Sequence, residues 1–271
     1  MPNFKLSWKP EPNPPSSPKL SDYLGTVQAA GAAVPNPVTE INGVLDLRKF
    51  CPPVDNQGQL SDCVADGTCT ALEFVQIRNG RPFVKLSRLF VYYDARLQTH
   101  DTANDTGTYV RLAFASLTSI GTCPETAWPY DPSMVFTRPS WASYQAAYPN
   151  KCTSFYNIDP DVVSAGGSGL VNAIKSALQA QHPVVFGMTV DAAYQNIGSD
   201  GIVAMPSANR VGPGGHCQVL VGYDDNRQVW IVQNSWGVGW GDNGFAYVPY
   251  GYLDASGASD LWVPYLQGAT P

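Results

Sequence analysis

Charge is scarce in this chain. Only 14% of its 271 residues are Asp, Glu, Lys or Arg, and the balance is −6. Nucleic-acid binding needs a basic footprint, so that class is excluded. No Lys or Arg follows Arg227, which leaves no basic tail for an anionic membrane. Long apolar runs are missing as well. No stretch of about 18 apolar residues is present, so no membrane span is expected. The opening "MPNFKLSWKPEPNPPSSPKLSDY" has no apolar centre of the kind a signal peptide carries. Cysteines number six, too few for a disulfide framework at this length. Three histidines without HExxH or CxxC spacing give no metal site, and neither metal nor cofactor is expected.

What is present is a 44% apolar composition with 25 Gly and 23 Pro, enough for a sizeable core and many turns. Eight prolines fall between Pro2 and Pro37. Residues 1–40 therefore read as a proline-rich arm, extended and partly polyproline II, and residues 41–271 as the globular domain. A helix is expected from Cys63 to Asn79, with Gly80 as its stop. Two more are expected over about 107–120 and 168–181, the latter ended by Pro183. Strands follow in "PVVFGMTV", "HCQVLVGY", "RQVWIVQN" and "GFAYVPY". Helices early and strands late predict an α+β fold of two unlike lobes, a helical one over about 55–145 and a β-rich one over about 150–271.

The chemistry gathers around four residues. Asp224, Asp225 and Asn226 form a turn between two β-rich runs. A hairpin centred on Asp225 places His216 opposite Asn234, close enough for the Asn amide to orient the imidazole. Cys63 opens the first long helix, where free N–H groups and the helix dipole favour a thiolate. Cys, then His, then Asn is nucleophile, base and orienter in chain order. Gln57 lies six residues before Cys63. Its side-chain amide and the Cys63 backbone N–H supply the two donors that an acyl-transfer oxyanion needs, and Gly58 lets the loop turn sharply. The GxGxxG-like spacing in "GVGWGDNG" is followed by no helix pattern and does not read as a dinucleotide site. His100 and His182 read as structural.

These residues resemble the papain family of cysteine peptidases. "PVDNQGQLSDCVA" is similar to the family's glutamine-loop and nucleophile motif, "GGHCQVLVGYDD" to its histidine motif and "VQNSWGVGWGDNGFAYV" to its asparagine motif. "LSRLFVYYDAR" and "GTCPETAWPY" are similar to the bacterial and viral branch. The resemblance covers about 44–250. It implies a papain-like two-lobed fold, with a helical left lobe, an antiparallel β-barrel-like right lobe and the cleft between them. It implies a peptide or protein substrate and a groove lined by Gly107, Thr108, Tyr109, Gly215 and Trp236. It also implies that Trp236 shields the Asn–His hydrogen bond.

Departures from the pattern are Val64 for the usual Trp, Asp62 for the usual Ser, Leu60 where many members have a disulfide cysteine, and no long helical propeptide. Asp62 is expected to raise the thiol pKa. These departures keep two alternatives in view. One is a catalytically silent papain-like protein with a structural or binding role, for instance in a virion. The other is an acyltransferase using the same Cys-His-Asn site. The expected location is cytoplasmic, non-classically secreted or virion-associated. Any disulfide is expected to join two of Cys51, Cys123 and Cys152, with Cys69 and Cys217 as buried thiols. A short proline-rich arm ahead of a two-lobed cleft predicts that part of residues 1–40, around "WKPEPNPPSSP", lies on or beside that cleft and attenuates activity. The alternative is a loose tail.

Overall fold

The structure is a computed structural model, and it describes residues 4–11, 17–24, 38–206 and 214–267. The helical part is built on α1 (Cys63–Arg78), α2 (Arg88–Leu97), α3 (Val110–Ser119) and α4 (Trp141–Ala147). The strands are β1 (Val44–Asp46), β2 (Ser154–Asn157), β3 (Val184–Val190), β4 (Gly214–Asp224), β5 (Val229–Gln233), β6 (Phe245–Pro249) and β7 (Ser259–Tyr265). They make one antiparallel sheet in the order β2-β7-β3-β4-β5-β6, with β1 added on β4. Helices α5 (Pro160–Ala165), α6 (Gly167–Gln179), α7 (Ala192–Gln195) and α8 (Tyr250–Ala255) belong to the sheet side of the molecule. This is the expected α+β division into two lobes. Among the described residues, no helix is long and apolar enough to cross a membrane.

The central helix α1 starts at Cys63 and stops before Gly80, whose φ of +72° only glycine adopts without strain. It is buried on nearly every side, between the sheet and the other helices. Gly67 permits the closest approach, since a Cβ there would stand 3.2 Å from Cys217 Sγ on β4. Helix α2 was not anticipated as an element. Nine of its residues, Arg88–Arg96, are buried, so no polar face marks it in the sequence. Its one local signal is Ser87, whose side chain accepts from Phe90 N at 3.3 Å as an N-cap. In α6 the expected face of Leu170, Ile174, Ala177 and Leu178 is the buried one.

The β4–β5 hairpin corrects the expected register. Asp224 pairs with Val229, and a bulge between Leu220 and Gly222 shifts the ladder so that Val219 pairs with Gln233. His216 and Asn234 are therefore not cross-strand partners. The turn is longer because the Asp224 carboxylate accepts from Asn226 N at 2.9 Å and Arg227 N at 3.2 Å, which holds four residues outside the ladder.

All six cysteines are free thiols, so no bridge joins Cys51, Cys123 or Cys152, while Cys69 and Cys217 are buried as expected. Titration under denaturing, non-reducing conditions should count six thiols. A count of four would show a bridge and contradict this arrangement.

Candidate active site

The loop before α1 is fixed from beneath. Arg88 donates to Asn56 O at 3.1 Å and to the Asp66 carboxylate at 2.6 Å, and Tyr130 Oη donates to Gln57 O at 2.9 Å. Gly58 has φ +58° with open space around its missing Cβ, so the backbone angle, not crowding, calls for glycine there. Gln57 is fully buried. Its amide oxygen accepts from Ser235 Oγ at 2.8 Å, which leaves the NH2 to donate to Leu60 O at 3.1 Å and Lys5 O at 3.3 Å. Ser235 therefore sets which way the Gln57 amide faces. Sequence reasoning missed it, since nothing local in "NSW" links it to a loop 178 residues away.

On the opposite wall, Asn234 Oδ1 lies 2.7 Å from His216 Nε2. Ser235 N donates to the same Oδ1 at 2.8 Å, which identifies that atom as the acceptor. His216 Nε2 must then carry the proton. The free lone pair is on Nδ1, which has no hydrogen-bond partner among the described residues. Trp236 stacks on the imidazole at 4.3 Å between centroids and closes the Asn–His bond from one side. The predicted pairing of His216 and Asn234 thus exists through their side chains. Asn234 lies just past the end of β5, and its backbone N–H bonds Gly244 O at 3.0 Å.

The model of the papain family cysteine protease matches residues 42–260. The chain belongs to the papain family of cysteine proteases. It is 33% identical over 232 residues to an uncharacterized peptidase C1-like protein of Acanthamoeba polyphaga mimivirus, spanning 82% of this chain and 74% of that one. It is 28% identical over 258 residues to cathepsin K of Mus musculus, spanning 92% and 69%. Xylellain, a cysteine protease from Xylella fastidiosa, superposes with a TM-score of 0.75 at 27% identity, covering 97% of this chain and 96% of that one.

In this papain-family protease the cleft is already filled. Residues 4–11 of the arm run across it. Phe4 stacks on Trp236 at 4.5 Å and 3° between planes, and Lys5 forms an ion pair with Asp105. The Ser7 hydroxyl lies 3.5 Å from Cys63 Sγ, and Trp8 N donates to Gly215 O at 2.9 Å. Glu11 forms an ion pair with Arg111. Three of the residues predicted to line the groove therefore meet the arm. A Cβ on Gly107 would stand 2.0 Å from Ser7 O, Gly215 bonds Trp8, and Trp236 carries Phe4. Thr108 is buried with its hydroxyl unpartnered, and Tyr109 is half-buried at the start of α3. The covering stretch lies upstream of most of the prolines. Residues 12–16 of the expected "WKPEPNPPSSP" segment fall outside the described residues, and 20–24 form a helical turn rather than extended chain.

Burial of the site has an electrostatic consequence that works against the expected thiolate. Burial pushes the Cys63 thiol up to about 11, against the Ser7 hydroxyl, which favours the thiolate. Burial pushes the His216 imidazole down to about 4, against its bond to Asn234. Both shifts favour the uncharged forms in the covered site. Asp62 is also fully buried. Burial, and then the Asp66 carboxylate beside it, raise its carboxyl well above the usual range, and Asp62 in turn pushes the Cys63 thiol up, the direction expected from the sequence. Exposing the cleft removes the burial penalty, so the thiol falls and the imidazole rises. The midpoint for alkylation of Cys63 should therefore drop from about 11 by at least about two units when the arm is loosened. An unchanged midpoint would mean that burial under the arm does not set it.

Proposed function

We propose that this protease hydrolyses peptide bonds with Cys63 as nucleophile, His216 as acid and base, Asn234 as orienter and Gln57 as oxyanion donor, and that residues 4–11 keep it latent. One observation carries the reading. A single stretch of chain is held at once by the Gln57 amide, the Cys63 thiol, Gly215 and Trp236. Residues so placed form one continuous seat for a peptide backbone.

The chemistry follows from the atoms. His216 Nδ1 takes the thiol proton, and the sulfur attacks the substrate carbonyl carbon. The oxygen gains charge between the Gln57 NH2 and the Cys63 backbone N–H. The imidazolium gives its proton to the leaving amine, and the C–N bond breaks. Water then attacks the thioester with His216 as base, releasing the acid and restoring the thiol. The imidazole reaches the amine only on the leaving side of the scissile bond, so the C-terminal part of a productive peptide passes Trp236. The arm runs the other way, with its N-terminal Phe4 on Trp236. Its reversed polarity is why it covers the site without being a substrate in place.

A peptide reporter separates hydrolysis from acyl transfer. The full-length Trp8→Ala chain should release product in plain buffer. Product that appears only with an added amine acceptor would make the chain an acyltransferase. In the same background Gln57→Ala should lower kcat by about 10²- to 10³-fold. Unchanged kcat would remove Gln57 from the oxyanion site.

A further inference from the structure

The side chain of Trp8 lies in a slot of its own beside the cleft. Two glycines make the floor flat. A Cβ on Gly187 would stand 1.9 Å from the indole Cε2, and one on Gly215 would stand 2.6 Å from Cε3. Trp8 is 7% exposed, and its indole Nε1 donates to Asp260 Oδ2 at 3.1 Å. Asp260 sits where the β3–β7 ladder is irregular, between the pairs Val185–Trp262 and Gly187–Ser259, with φ +54°. A non-glycine residue with positive φ at a bulge is the kind of local strain that aims a side chain. Glu11 N donates to the same oxygen at 3.3 Å, and a cavity of about 210 Å³ continues beyond it between Ile158, Leu261 and Trp262.

We infer that, once the arm has left, this slot selects tryptophan in the substrate, with Asp260 reading the indole N–H. On the polarity proposed above, the slot takes the second residue on the acyl side of the scissile bond, because Ser7 lies at the thiol and Trp8 is next. The inference rests on the peptidase reading of the cleft. Ring shape alone admits Phe, but Phe leaves a partly buried carboxyl without its donor, and sites built around a polar group reject the analogue that cannot pair with it. Charge argues against a basic residue. Arg111 loses its Glu11 partner when the arm leaves, and its cation already acts on the Asp260 carboxylate, which works against a second cation in the slot.

Two readouts on the full-length chain test this. The first needs no catalysis: iodoacetamide alkylation of Cys63, read by mass. Trp8→Phe should speed alkylation about 10-fold, the factor corresponding to one lost hydrogen bond. In an Asp260→Gly background, which tolerates positive φ, Trp8→Phe should add nothing, and Asp260→Asn, whose amide oxygen still accepts, should keep the wild-type rate. The second is a panel of peptides with Trp, Phe, Leu or Arg at the slot position, offered to the Trp8→Ala chain. Trp should exceed Phe and Leu by about 10-fold in kcat/KM, and Asp260→Gly should erase that ratio. Phe or Leu equal to Trp, Arg above Trp, or a ratio that survives Asp260→Gly overturns the assignment and leaves the peptidase reading standing. No hydrolysis of any peptide by a chain whose Cys63 alkylates readily overturns the peptidase reading, and the residue-8 series still judges Asp260.

Discussion

Replacing Cys63 by alanine in the Trp8→Ala chain lowers kcat/KM for peptide hydrolysis by roughly 10⁵-fold or more. The expectation comes from how the site is divided. Gln57 and the first turn of α1 can polarise a bound carbonyl without the sulfur, but no other nucleophile stands at that point. Among the described residues, Ser7 is the only other hydroxyl in contact with the thiol, and it belongs to the arm. His216→Ala should lose a comparable amount, because it removes the proposed acceptor of the thiol proton. Asn234→Ala should lose less, since the imidazole stays stacked on Trp236. Steady-state kinetics on the three variants checks the order. A Cys63→Ala chain with more than about a hundredth of the parent rate would place the nucleophile elsewhere.

Trp8→Ala by itself should raise the rate of Cys63 alkylation by about 100-fold. Removing a buried Trp side chain costs about 3–5 kcal/mol in a packed core, and each 1.4 kcal/mol is tenfold in an equilibrium. The lower end applies here, because Phe4 still stacks on Trp236 and Glu11 still pairs with Arg111. Lys5→Ala should do much less. The Lys5 side chain is 42% exposed, and an ion pair in that setting contributes under about 1 kcal/mol. Iodoacetamide alkylation with mass readout ranks the two. A Trp8→Ala chain that stays folded and alkylates at the wild-type rate would mean that the arm is not the gate.

The proposed catalytic residues were legible as candidates because three motifs carry them in chain order and the Gln57–Cys63 spacing is short. What the sequence did not carry depended on distance or on burial. Ser235 reaches Gln57 across 178 residues, and Asp260 reaches Trp8 across 252. No local pattern encodes either contact. The hairpin register failed for a local reason, since the Asp224 carboxylate holds a longer turn and a bulge follows at Val221. Helix α2 was hidden because Arg88, Asp94 and Arg96 are buried with the apolar residues around them. The expected thiolate is opposed in the covered site, because helix position is only one influence on the thiol. Burial pushes the thiol up and the imidazole down, against the charge pair that the helix position favours. The arm itself was anticipated from its prolines, yet the residues that grip the cleft are Phe4, Ser7 and Trp8.

The most direct measurement is intact mass after exposure to an epoxide inhibitor of papain-like enzymes. The account predicts slow addition of one molecule to the wild-type chain, addition about 100-fold faster to Trp8→Ala, and none to Trp8→Ala carrying Cys63→Ala. Addition that persists without Cys63, or a Trp8→Ala chain that is alkylated by iodoacetamide but never by the epoxide, would contradict it.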